Sequence, residues 1–195
     1  VTPGPCGAAP PDAARRRLLR VAGGLLGSTW FAARAQAPVR QEAVEAAYLH
    51  KLPGFVEWSP QAFATASSPI VVGVAGAPIV LEELARIAKG RLVVGRGVEA
   101  RAVEGAGSLP RELHVLFIGL EAATSARALV EAARLRHALI VTDLPDGLDA
   151  GAVVEFMQVD GRLRFAISLA GARKCELKLS SQLMSVAWKV KEDAQ

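Results

Sequence analysis

Three short runs, IVVGVAG (70–76), LHVLFIGL (113–120) and ALIVTD (138–143), constrain this chain more than anything else in it. Each is almost wholly apolar and rich in Val, Ile and Leu. Each is too short for a buried helix and lacks the alternation of a strand with one wet face. Continuous apolar strands are buried on both faces, and the usual way to cover both faces is to lay helices over a parallel sheet. The segments between the runs fit that reading. PIVLEELARIAK (78–89) reads as a helix with Pro78 in its first turn and Gly90 as its stop. Ile79, Leu84, Ile87 and Ala88 are expected to share its inner face. Thr124 or Ser125 is expected to cap a second helix running through Arg136. The strand–helix–strand rhythm predicts an α/β fold: one domain, a mixed sheet of about six strands flanked by helices.

The flanking segments extend this frame. VRQEAVEAAYLHK (39–51) reads as a helix interrupted by Pro53-Gly54, followed by FVEW (55–58). LVVGRGVEARAV (92–103) is strand-like but broken by Gly95 and Gly97, which predicts a turn or bulge. LPDGLDAG (144–151) reads as a loop. Near the end, Asp160-Gly161 between two alternating runs is a strong hairpin signal, because a type I′ turn needs positive φ at both positions. That register sets Phe156 opposite Phe165 and Val154 opposite Ile167. Val154, Phe156, Leu163, Phe165, Ile167 and Leu169 then form a core face. Glu155, Met157, Val159, Arg162 and Arg164 form the other. After a turn at Gly171, Ser180 or Ser181 is expected to cap a C-terminal helix whose Leu179, Leu183, Val186 and Val190 pack inward.

Charge narrows the function. The net +4 suggests nucleic acid or anionic lipid until the charges are located. Residues 1–37 hold Arg15, Arg16, Arg17, Arg20 and Arg34 against Asp12. Of the chain's 23 basic and 19 acidic side chains, that leaves 18 of each for residues 38–195, a net of zero. The basic segment has the layout of an export signal: ARRRLLR, a short apolar run VAGGLLGSTWFAA (21–33), then Ala35-Gln36-Ala37 as a cleavage site. We therefore read 1–37 as a signal peptide and 38–195 as the exported domain, with no nucleic-acid partner and no membrane insertion after cleavage. Arg15-Arg16 loosely resembles a twin-arginine signal, but the general secretory route is the expected one. Cys6 leaves with the signal, so Cys175 has no intramolecular partner and reads as a small, inert, partly buried residue rather than an intermolecular bridge or a redox sensor.

Catalytic chemistry finds little support. His50, His114 and His137 lack metal-ligand spacing. His114 reads as a hydrogen-bonded core or edge residue. VVGVAG lacks the G-x-G-x-x-G order of a phosphate loop, and Ser180-Ser181 lacks a nucleophile elbow. No catalytic residue, metal or cofactor is expected. Thr142-Asp143 ends a strand where α/β folds often hold ligands, which makes a small-ligand site there the alternative to a polar strand cap.

AAYLHKLPGFVEWSP (46–60), HVLFIG (114–119) and GRLRFAISLAGARKCELKLSSQLMSVA (161–187) together resemble the YfiR family of exported proteins, the YfiR/HmsC-like group. The likeness covers nearly all of residues 40–190. It rests on the order and spacing of several modest motifs. It implies a periplasmic regulator that binds and restrains the periplasmic sensor domain of an inner-membrane diguanylate cyclase. That restraint lowers cyclic di-GMP signalling and biofilm formation. It also implies self-association, with a homodimer as one form. Two positions depart from the family pattern. Leu113 stands where some members have cysteine, so a disulfide switch within one chain does not carry over. Pro53-Gly54 breaks what is a continuous first helix in some relatives. The partner-binding residues expected from the hairpin are Glu155, Met157, Val159, Arg162 and Arg164. The alternative reading, a periplasmic small-ligand module, would use Thr142 and Asp143 with the 144–151 loop.

Overall fold

A computed structural model describes residues 40–192; the expected signal peptide lies outside them. The first helix, α1, spans Gln41–Lys51. Pro53 and Gly54 stop it in a 3-10 turn, Leu52–Phe55, followed by a two-residue strand β1, Val56–Glu57. Strand β2 (Ile70–Ala75) leads into α2 (Pro78–Ala88), then β3 (Leu92–Val93) and β4 (Arg96–Val103). Strand β5 (Leu113–Ile118) is followed by α3 (Ala126–Arg134) and β6 (Leu139–Thr142). The hairpin is β7 (Val154–Val159) and β8 (Arg162–Ser168). Helix α4 (Leu169–Lys174), strand β9 (Lys178–Leu179), helix α5 (Ser181–Val186) and strand β10 (Lys189–Lys191) complete the described chain.

Eight strands form one mixed sheet in the order β10-β8-β7-β6-β5-β2-β4-β3. The pairs from β4 through β2, β5 and β6 to β7 are parallel, as is β8 with β10. β3–β4 and β7–β8 are antiparallel hairpins. Every residue of β2, β5 and β6 is buried, as continuous apolar runs require. Strand alternation puts Phe117, Val141, Val154 and Phe156 on one side of the sheet. There Tyr48 of α1 meets the rings of Phe156 and Phe165 at 5.8 and 5.7 Å. Ile118 and Thr142 face the other side, toward α3. Phe117, fully buried, also lies 6.1 Å from Phe156.

The sheet has eight strands rather than about six, for two reasons. Residues 92–103 fold back on themselves through Val94 (φ 51°) and Gly95 (φ 76°), so one expected strand becomes two. The second reason lies at the C-terminus, where the expected long helix stops at Val186. Ser180 does cap it, accepting from Leu183 N at 3.2 Å. Residues 189–191 then pair with β8 as an edge strand. Leu183 packs inward, but Val186 is exposed and Val190 is half-buried in β10. The expected turn at Gly171 is instead a short helix, α4, capped by Ser168 accepting from Gly171 N. In α2 the inward face is Val80 and Leu84, and Ile79 points to solvent. Ser125 precedes α3, but its hydroxyl donates to Ala122 O (3.1 Å) and caps nothing in the helix.

Candidate functional site

The hairpin forms in the register that its turn dictates. Asp160 and Gly161 take φ 50° and 69°, and Phe156 opposes Phe165 while Val154 opposes Ile167. These four are buried in the core; Leu163 and Leu169 are half-buried against its margin. On the outer face Met157 opposes Arg164 and Val159 opposes Arg162. Met157 and Val159 are half-buried, and both arginines are exposed. Glu155 is on the same face but has another task. Its carboxylate accepts from Leu148 N at 3.0 Å, which ties the 144–151 loop to β7. A further ion pair links Asp149 of that loop to Lys191 of β10.

Trp188 was missed at the sequence level. It is 56% exposed, and the Arg164 guanidinium carbon lies 5.9 Å from its ring centroid, at the outer limit of a cation–π contact. Its backbone N–H donates to Phe165 O at 2.8 Å, starting the β10 ladder. Reading 181–190 as helix concealed it. The one available signal was a tryptophan off the helical stripe, followed directly by the alternating Lys189-Val190-Lys191. The outer face therefore consists of Met157, Val159, Arg162 and Arg164, with Glu155 at its inner margin; Trp188 stands beside it at the β10 edge, within reach of Arg164.

At the carboxyl ends of β5 and β6 lies a crevice of about 300 Å³, open on one side. Ile118, Thr142, Ala126 and Val130 form its floor and wall, and the 144–151 loop roofs it. Thr142 is buried. Its hydroxyl donates to Ile118 O (2.7 Å) and accepts from Leu144 N (3.0 Å), so it caps the strand and starts the loop. Asp143 turns away from this crevice. Its Oδ1 is buried without a partner, and burial raises its pKa. Glu45 of α1, 1% exposed, accepts from Gln41 Nε2 at 2.7 Å. Burial raises its pKa, and the Asp143 carboxylate adds to the rise.

His114 is a structural imidazole. Nδ1 accepts from Val71 N (3.1 Å) and Nε2–H donates to Ala62 O (2.9 Å). Burial lowers its pKa, which holds the ring neutral in this role. Phe63 stacks on it at 4.4 Å, Trp58 meets it edge-on at 5.5 Å, and the Arg96 guanidinium covers Phe63 at 3.8 Å. Trp58 Nε1–H donates to Pro53 O at 3.0 Å, so this tryptophan of FVEW (55–58) is tied back to the turn that ends α1. Cys175 is fully buried and its thiol is pushed up to about 11 by burial; a protonated, enclosed thiol is a poor nucleophile. Among the described residues, no group of three or more His, Cys, Asp or Glu could hold a metal ion. No described helix is long and apolar enough to cross a membrane.

Fold and face together define an α/β domain in which one hairpin surface is left over from the core. The family model for YfiR/HmsC-like proteins matches residues 42–188, and the chain belongs to that family. No curated protein matches it. Among solved structures it is similar to a conserved domain protein from Vibrio cholerae O1 biovar El Tor str. N16961, with a TM-score of 0.54 and 9% identity. It is also similar to an ABC domain from Streptococcus pneumoniae in complex with L-Trp, with a TM-score of 0.52 and 10% identity. Each likeness covers 77% of this chain and 60% of the other, so the chain spans about three-fifths of those structures. At such identity the likeness is one of fold.

Proposed function

We propose that this protein is a periplasmic regulator that binds the periplasmic sensor domain of an inner-membrane diguanylate cyclase and holds the enzyme in its inactive state. Membership of the YfiR/HmsC-like family supports the regulatory role. The observation that carries the binding surface is the outer hairpin face. It sets two half-buried apolar side chains, Met157 and Val159, beside Arg162 and Arg164, with an exposed Trp188 next to Arg164 at the β10 edge. Protein interfaces are enriched in this combination of Met, Trp and Arg. Restraint follows if the face prefers one conformation of the sensor domain, because a ligand shifts an equilibrium only by its differential affinity.

The test is pull-down of the cognate sensor domain by Arg164→Asp and Trp188→Ala proteins whose melting is unchanged. We expect capture to fall at least about tenfold, the loss of one hot-spot contact. Undiminished capture by both would remove this face from the interface. A second copy of the chain is the other occupant that the family suggests. Sedimentation of the same variants separates the two, since a dimer face would shift mass without any sensor domain present.

A further inference from the structure

The crevice at the carboxyl ends of β5 and β6 has no part in the hairpin face, yet it is built like a binding site. It sits where parallel α/β sheets usually hold ligands, just beyond the strand ends and beside the start of α3. Its lining is Ile118, Leu120, Val130, Leu144 and Pro145 with several alanines, and no charged side chain contributes. The Thr142 hydroxyl, its sole polar side chain, is already engaged as donor and acceptor. A charged group brought into such a lining would lose its water without a partner. The part of an occupant that enters the crevice is therefore uncharged. An apolar cavity of about 150 Å³ takes benzene, so about 300 Å³ suits two fused rings.

The roof connects this crevice to the rest of the molecule. Gly147 lies so close to the strand that a Cβ there would sit 2.2 Å from Thr142 Cγ2. One residue further on, Leu148 N–H is held by Glu155. Asp149 is paired with Lys191, and Ala150 lines the crevice. A molecule that lifts or seats this loop pulls on β7 and β10, the strands that flank β8 and its Arg164. We infer that the crevice binds a small uncharged two-ring aromatic molecule, and that its occupancy alters the hairpin face through the Leu148–Glu155 and Asp149–Lys191 links. The second half of this inference rests on the hairpin-face reading; the first half does not.

Indole serves as the probe and indole-3-acetate as its charged counterpart, titrated calorimetrically into the purified protein alone. We expect saturable indole binding, at least tenfold weaker binding of indole-3-acetate, and loss of indole binding in Ala123→Phe and Ala150→Phe. Both positions are exposed at the rim, so the variants should melt as the parent does. No saturable binding, or equal indole affinity in both filled variants, overturns the site. With binding established, indole should change capture of the sensor domain at least twofold, and this change should shrink in Lys191→Ala. Capture indifferent to indole overturns the coupling and leaves the hairpin reading standing. Failure of both Arg164→Asp and Trp188→Ala to weaken capture sinks that reading while leaving the crevice intact.

Discussion

The two halves of the sheet solve different problems. Strands β2, β5 and β6 are buried on both faces, by α1 and α2 on one side and α3 on the other. Their side chains are spent on packing, and His114 and Thr142 are spent on backbone groups. In the β7–β8 hairpin only one face is used for the core. Toward the turn the other is left to solvent, with arginines and half-buried apolar groups set side by side. The contrast separates residues that make the fold from residues free to do something with it.

The contrast can be broken by substitution. Phe117→Ala, at the centre of the buried half, should cost about 3–5 kcal/mol in chemical denaturation. Gly76→Ala comes next. Gly76 holds φ 62°, and a Cβ there would sit 2.2 Å from Ala122 N. Strain of this kind costs on the order of 2 kcal/mol, again read by denaturation. Ser180→Ala removes the α5 cap and should cost about 1 kcal/mol. Arg164→Asp should change stability by no more than about 0.5 kcal/mol while abolishing most partner capture. If it destabilises as Phe117→Ala does, the hairpin face is part of the fold and the division fails.

Acidity sharpens the same comparison. Glu45 lies on the buried side of α1, and its folded pKa is raised above the unfolded value near 4.5. Between those two values the native state binds more protons than the unfolded state. Stability therefore falls as pH rises through that window, and the cost is absent below the unfolded pKa. Glu45→Gln should raise the melting temperature at about pH 7.5 and change it little at about pH 4. An equal gain at both pH values would mean that the side chain's charge is not the source of the cost.

What the residues disclosed in advance follows the same division. Continuous apolar runs announced β2, β5 and β6, and Asp160-Gly161 announced the hairpin with its register. These are local signals, period and turn chemistry, and the structure obeys them. The C-terminal segment misled because Leu179, Leu183, Val186 and Val190 fit a helical period, whereas β8 has a free edge that residues 189–191 can pair with. An edge contact made by distant chain has no local signature, so Trp188 stayed hidden with it. Glu155 was placed on the right face, but its bond to Leu148 N depends on how the 144–151 loop folds back. The crevice depends on that loop too; the linear sequence marked it through Thr142, Asp143 and residues 144–151, and of these Asp143 does not line it.

Hydroxyl-radical footprinting of the protein with and without the cognate sensor domain tests the central claim most directly, since Met and Trp side chains are among the most readily oxidised. Met157 and Trp188 should both be oxidised in the free protein and protected in the complex. A complex that forms while both remain as reactive as before, with protection falling elsewhere on the surface, would contradict the account.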